Sequence, residues 1–313
     1  MSLAQLLDSR LLMVTGKGGT GKTTFASAMG ILGAAKGKRV VVCEVDTQRP
    51  ALPAIFETEV HFDPVEVHPG LSVCNITWNE ALHAYLRRSL PMKRLVRMVL
   101  ENQLIARLLD ITPGSREVVI LSRVGNLLEE YDLVVVDMPA SGHAFSLLDI
   151  LSTLLTLFRS GPVRQRALEL QELIHDLRTR LVFLAIPEEM VINETIETWT
   201  RMEGAELIGG SPYIFLNRAT LPSLTEEERA LIGRLSKVKL DPLRREFVQA
   251  GVWEDRLEQA TEGAQARLAE AFHMDPVLVP PAGGGGNPRA VVGRVALHLG
   301  RMVGVARREL PWT

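Results

Sequence analysis

The segment LLMVTGKGGTGKTTFASAMG, residues 11–30, constrains the fold more than any other part of the chain. Within it, Gly16-Lys17-Gly18-Gly19-Thr20-Gly21-Lys22-Thr23 fits the pattern G-x-x-x-x-G-K-[ST]. An apolar run, residues 11–15, precedes it and a helical pattern over residues 23–36 follows, the strand–loop–helix context that a phosphate-binding loop demands. Glycines let successive backbone N–H groups turn inward and cradle phosphate oxygens at a helix N-terminus. On this reading Gly16, Gly18, Gly19, Thr20, Gly21 and Thr24 belong to the cradle, Lys22 reaches the β- and γ-phosphates, and the Thr23 hydroxyl ligates Mg²⁺. The pattern needs one lysine, and this loop carries a second, Lys17.

Around the loop, short β-branched runs alternate with longer helical patterns. Residues 39–44 (RVVVCE), 71–76, 133–137 (LVVVD), 181–185, 213–217 (YIFLN) and 277–279 read as further strands. Near-continuous apolar strands separated by helices call for a mostly parallel sheet covered on both faces. The expectation is therefore one α/β domain of the P-loop NTPase class across residues 1–313, long enough to bury a substantial core. Residues 79–130 contain helical material and no good strand, so they read as a helical insertion resting on the sheet. Residues 160–180 read as a further helical segment, 280–290 (PPAGGGGNPRA) as a loop, and 290–308 as a last helix.

Composition narrows the function classes. A formal net charge of −2 gives no basic excess for generic nucleic-acid binding, so nucleic acid is not an expected partner. The two cysteines, Cys43 and Cys74, form no CxxC pair, which argues against a cysteine zinc site and fits a reducing cytoplasm. The opening MSLAQLLDSRLL does not read as a signal peptide, and nowhere do eighteen apolar residues run without charge. The expected setting is cytoplasmic, with peripheral membrane association left open.

Two aspartates end apolar runs: Asp137 closes LVVVD, as a magnesium-coordinating aspartate should, and Asp46 closes VVVCEVD. A carboxylate at that edge of the sheet, near the γ-phosphate, can ligate the metal or hold the attacking water.

At these residues the chain resembles a known group. GKGGTGKTT is similar to the deviant phosphate loop of ParA, MinD, the nitrogenase iron protein and the ArsA arsenite ATPases. DMPASGH, residues 137–143, resembles the switch II stretch D-T-A-P-T-G-H of the ArsA branch, which also includes the ATPases that deliver tail-anchored membrane proteins. IPEEMVINETI, residues 186–196, is similar to that branch's segment after the next strand. The resemblance implies that Lys17 crosses a dimer interface to the partner's nucleotide, that Gly142 and His143 sense the γ-phosphate, and that Asn217 and Pro280 contact adenine. The region of LNRAT that would read guanine lacks the aspartate of related GTPases, so ATP is the expected nucleotide. One phosphate loop per chain makes a two-site assembly a homodimer.

The departures from the family are as informative. Switch I usually reads D-P-A-[HS] and here reads Asp46-Thr47-Gln48-Arg49-Pro50. Arg49 either reaches a phosphate or carboxylate across the interface or is a solvated loop arginine. The zinc clasp of the eukaryotic targeting factors and the metalloid-binding cysteines of the pump ATPases are absent, and Cys43 and Cys74 read as small hydrophobic packing residues.

Within the insertion, Arg87, Arg88, Lys93, Arg94, Arg97 and Arg107 alternate with Met92, Leu95, Val96, Val99 and Leu100. That pattern is either a packed helix with a solvated face or a nucleotide-gated surface for a hydrophobic client helix or membrane-protein partner. The last helix either docks on the sheet or acts as a MinD-like membrane-targeting helix. The leading function is an ATPase with Lys17, Lys22 and Asp46 as catalytic residues and Thr23, Asp46 and Asp137 around Mg²⁺. The competing readings are a ParA- or MinD-like positioning protein and a nucleotide-binding scaffold with negligible turnover.

Overall fold

Leu11–Thr15 (β1) is buried along its whole length, and such a strand needs a neighbour on each side with helices above and below. In the computed structural model, which describes residues 4–47, 49–89, 112, 114–283 and 286–312, it has both. β1 pairs in parallel with β5 (Leu133–Asp137) on one side and β6 (Thr179–Ala185) on the other. The full sheet runs β3-β4-β2-β5-β1-β6-β7-β8, with β2 at Val40–Val45, β3 at Val65–His68, β4 at Leu71–Ile76, β7 at Tyr213–Asn217 and β8 at Val277–Val279. Every pairing is parallel except β3 with β4. The expected α/β P-loop NTPase architecture is what the chain forms.

Alternation along β1 assigns the two faces. Leu12 and Val14 pack with α1 (Ala4–Leu7), α2 (Lys22–Ala35), α3 (Leu52–Phe56) and the last long helix, α11 (Pro288–Val303). Leu11 and Met13 pack into the opposite layer, built from α4 (Trp78–Ser89), α5 (Ser115–Glu130), α6 (Ser141–Leu157), α7 (Pro162–His175), α8 (Glu189–Gly204) and the end of α10 (Pro242–Phe272). α2 lies against the sheet with nothing between: a Cβ at Gly30 would come 2.4 Å from a Val42 methyl, and one at Gly33 would come 2.9 Å from Val40.

Several boundaries move. The helix expected over 23–36 is Lys22–Ala35, and the strand expected over 39–44 is Val40–Val45. The 181–185 strand begins earlier, at Thr179, which ends the 160–180 helical segment at His175. The last helix stops at Val303 rather than 308 because Gly304 takes a left-handed φ of 72° and closes it. It docks on α2 and the sheet, burying Val292, Val295, Ala296 and Leu299.

Among the elements without a counterpart in the sequence reading are β3, α3, α6, α8, α9 (Glu226–Leu235) and the 31-residue α10. α9 and the first half of α10 form a helical hairpin that leaves Leu243, Phe247 and Trp253 exposed. Of the proposed insertion, α4 and α5 are helical, and α5 buries Val118, Ile120, Leu121 and Leu127 in the core. Residues 90–111 and 113 lie outside the described residues, and with them Met92, Lys93, Arg94, Leu95, Val96, Arg97, Val99, Leu100 and Arg107. Arg88 pairs with Glu129 of α5 at 2.6 Å. Among the described residues no helix is long and apolar enough to cross a membrane.

Candidate nucleotide site

The loop from Gly16 to Gly21 turns in a way that glycine alone tolerates. Gly21 has φ 96° and caps α2, and a Cβ there would come 2.7 Å from the Asn217 side-chain nitrogen. At Gly16, φ 147°, a Cβ would strike the Leu184 carbonyl oxygen of β6 at 2.2 Å. The loop is therefore seated on β6 and β7 as well as on its own strand. Thr20 closes it internally, its hydroxyl donating to the Lys17 carbonyl at 2.9 Å. Asn217 props it from beneath, donating to the Thr20 carbonyl at 2.7 Å, while Arg218 donates to Gly19 O at 3.2 Å. Asn217, expected to read adenine, thus has its donor engaged on the loop. Pro280 follows β8, the strand beside Asn217.

The two lysines part company. Lys22 Nζ turns in and donates to the Lys17 carbonyl at 3.3 Å; burial lowers its pKa, against the pull of Asp137 and Glu194. Lys17 Nζ instead pairs with Glu194 Oε2 at 3.2 Å. Glu194 lies on α8 and also accepts from Ser141 Oγ, at the start of α6, at 2.5 Å.

Strands β2 and β5 bring the carboxylates to the loop, since parallel register sets Glu44 opposite Asp137. Asp137 Oδ2 accepts from Thr23 Oγ1 at 2.5 Å, and burial pushes its pKa up to about 6 against the Thr23 and Lys22 contacts. Glu44, which the sequence reading passed over, is buried and accepts from the N–H groups of Ala51 and Leu52 at 2.7 and 3.1 Å. Burial pushes its pKa up to about 7, against those two hydrogen bonds. It thereby ties down the chain just after switch I. Its only sequence signal was its place two residues before Asp46, on the same strand edge.

Asp46 sits at φ 49°, a conformation that costs a non-glycine residue and is found preferentially at functional sites. Its Oδ2 pairs with Arg116 Nη1 of α5 at 3.3 Å, and that guanidinium lies 5.8 Å from the Trp78 ring of α4. Lys22, Thr23, Glu44, Asp46, Arg49 and Asp137 line one cavity of about 440 Å³. Gly142 is exposed at the start of α6, just beyond Ser141, and Arg49 is exposed at the cavity rim. A larger cavity of about 670 Å³, with His61, His83, Arg87 and Arg123 on its walls, shares no residue with this one.

Such an arrangement suits a phosphorylated ligand: a glycine-rich loop at a helix N-terminus, an ammonium on the cavity wall, and a hydroxyl–carboxylate pair able to meet a divalent cation. Among the described residues no three His, Cys, Asp or Glu side chains cluster as a self-sufficient metal site.

Cys43 and Cys74 are both fully buried and stand opposite one another in β2 and β4. The burial was legible in the sequence; the pairing was not.

The family model described as anion-transporting ATPase matches residues 9–241. Over 263 residues the chain is 27 % identical to the ATPase BagA of Mycobacterium tuberculosis, spanning 80 % of this chain and 76 % of that protein. It is 28 % identical over 240 residues to the putative arsenical pump-driving ATPase 2 of Aquifex aeolicus, 72 % of this chain and 75 % of that one. The arsenical pump-driving ATPase of Acidiphilium multivorum matches over 248 residues at 28 % identity, 72 % of this chain and 42 % of that protein.

Proposed function

This chain belongs to the anion-transporting ATPase family and is an ATP-hydrolysing enzyme, and from that premise we propose that it works as a homodimer whose ATP-driven closure controls a partner surface on its helical layer. The divergence of the two loop lysines carries the reading. Lys22 donates back to its own loop, whereas Lys17 pairs outside the loop with Glu194 of α8. A lysine that is not bound into its own loop would be available to neutralise charge on a nucleotide held by a second subunit.

The roles follow from position. Backbone N–H groups of residues 16–24 hold the β- and γ-phosphates, with Lys22 as the cation of the same subunit. Thr23 and Asp137 fit Mg²⁺: the pair is preformed, and the second Asp137 oxygen is buried without a hydrogen-bond partner among the described residues. When bound, the ion would neutralise phosphate charge as a Lewis acid. Asp46 lines the same cavity as Asp137 and would orient water for in-line attack. Gly142, past the start of α6, belongs to the segment that would respond to the γ-phosphate.

A route from nucleotide to partner surface starts at Asp46. Its ion pair with Arg116 joins the cavity to the first turn of α5, and α5 packs on α4. Release of Asp46 towards water or Mg²⁺ would free that end of the helical layer, a shift between two populated arrangements. The family and this contact support a hydrophobic client helix or membrane-protein partner bound there.

Lys17→Ala should bind Mg·ATP but lose ATP-dependent dimerisation and turnover, measured by sedimentation velocity and phosphate release. A Lys17→Ala protein that hydrolyses ATP at the wild-type rate would overturn the dimeric reading. Crosslinking from α4 and α5 in cell extract, with and without ATP, tests the partner surface. The partner claim falls if nothing crosslinks in a nucleotide-dependent way.

A further inference from the structure

Glu194 lies outside the phosphate loop yet holds two parts of the site at once. Its Oε2 is 3.2 Å from Lys17 Nζ, and its Oε1 accepts from Ser141 Oγ at 2.5 Å. Ser141 opens α6, the helix reached directly from Asp137 through Met138, Pro139 and Ala140. The Ser141 hydroxyl, and with it Lys17, holds the Glu194 carboxyl below the usual carboxylate range although partial burial opposes this. One charged carboxylate therefore joins Lys17 to the segment leading from the cation-side aspartate.

Its strength suits a contact that must be broken. The Lys17 and Glu194 side chains are 34 % and 36 % exposed, so water and salt weaken their attraction. A lysine held this loosely can be drawn away by a triphosphate, whose charge is several times that of a carboxylate.

Resting on the homodimer reading above, we propose that Glu194 is a positioning residue that holds Lys17 within its own subunit until the dimer closes. Closure transfers Lys17 to the partner's phosphates and leaves Glu194 bonded to Ser141 alone. Departure of the lysine is thus felt at the start of α6, where the γ-phosphate-sensing segment lies.

Glu194→Gln tests this, because it keeps the shape and an acceptor for Ser141 while removing the charge that holds Lys17. Dimerisation against Mg·ATP concentration is read by sedimentation velocity, together with kcat and KM. The half-saturating ATP concentration for dimerisation should fall about two- to fivefold, and KM should fall with it while kcat changes less. Added salt should raise the ATP threshold for dimerisation less in the wild type than in Glu194→Gln, because in the wild type it also loosens Lys17 from Glu194. Glu194→Asp, charged but one methylene short of bridging both partners, should fall between the two and serves if the first variant folds poorly. An unchanged dimerisation threshold, or a loss of kcat alone, overturns the proposal provided Lys17→Ala abolishes dimerisation. A Lys17→Ala protein that dimerises like wild type removes the homodimer reading and this proposal together.

Discussion

Thr23 donates its hydroxyl hydrogen to one oxygen of Asp137, and the other oxygen of that carboxylate is buried with no hydrogen-bond partner among the described residues. An orphaned buried acceptor costs stability unless something occupies it in use. Asp137→Asn keeps the size of the side chain and an acceptor for Thr23. Mg²⁺-dependent phosphate release should fall about a hundredfold or more, whereas the melting temperature measured in EDTA should hold or rise. A variant that retains Mg²⁺-dependent turnover would remove Asp137 from the cation site.

Stability of the empty protein should depend on pH in an unusual direction. Burial pushes Asp137 up to about 6 from 3.8 and Glu44 up to about 7 from 4.5. Between the unfolded and folded values the folded protein binds more protons, so these two groups make stability fall as pH rises from about 4 to about 7. Above that window both are ionised in either state and the loss levels off. Each group contributes on the order of 3 kcal/mol. Urea unfolding in EDTA at pH 4 and pH 8 measures the drop, and Glu44→Gln should remove about half of it.

Gly21→Ala should damage the cradle more than the fold. The new methyl would press on the Asn217 amide at 2.7 Å from a backbone held at φ 96°. The loss of stability should be about 1–3 kcal/mol, and nucleotide affinity should fall at least about tenfold because the loop is displaced. A fluorescent ATP analogue reads the second quantity, and thermal melting reads the first.

Lys22→Ala should separate binding from folding. The ammonium is partly desolvated in the empty loop, which lowers its pKa, so removing it costs the apo protein little. The thermal shift produced by saturating Mg·ATP should disappear. A Lys22→Ala protein still stabilised by Mg·ATP would move the principal phosphate contact elsewhere.

The α9–α10 hairpin depends on one buried carboxylate. Glu258 of α10 has a fully buried side chain that accepts from the Ser223 N–H and hydroxyl and from Arg229 Nη2 at 2.7 Å. Arg229→Ala leaves that charge with hydrogen bonds but no counter-ion and should lower stability. Urea denaturation measures it. Arg229→Lys, which keeps the charge and loses the fork geometry, should cost less.

What the sequence displayed was local. Leu11–Thr15, Leu71–Ile76, Leu133–Asp137, Tyr213–Asn217 and Val277–Val279 are apolar over short spans, and their strands begin and end where the pattern does. The phosphate loop was legible because its glycines and lysine are consecutive. β3 was missed because Val65–His68 is a half-exposed edge strand paired antiparallel to β4, with polar residues in alternation. The long α10 was missed because its first half carries exposed Leu243, Phe247 and Trp253, which blur the apolar stripe that marks a helix. Glu44 and Glu194 gain meaning only through partners: backbone N–H groups seven and eight residues away for Glu44, and a lysine from a different element for Glu194. Register likewise sets Cys43 beside Cys74, and no spacing rule within one strand could reveal it.

Gly30 and Gly33 put the backbone of α2 directly on the side chains of Val40 and Val42. With no side chain of its own at those points, α2 has no compressible layer through which to slide or tilt. The phosphate end of the molecule is thereby fixed to the sheet, and on the proposed function nucleotide-driven movement would fall to parts seated by side-chain contacts instead. These are the chain just after β2, tied by Glu44, and the start of α6, tied by Glu194. The immobility of one helix thus decides which others are free to carry a signal.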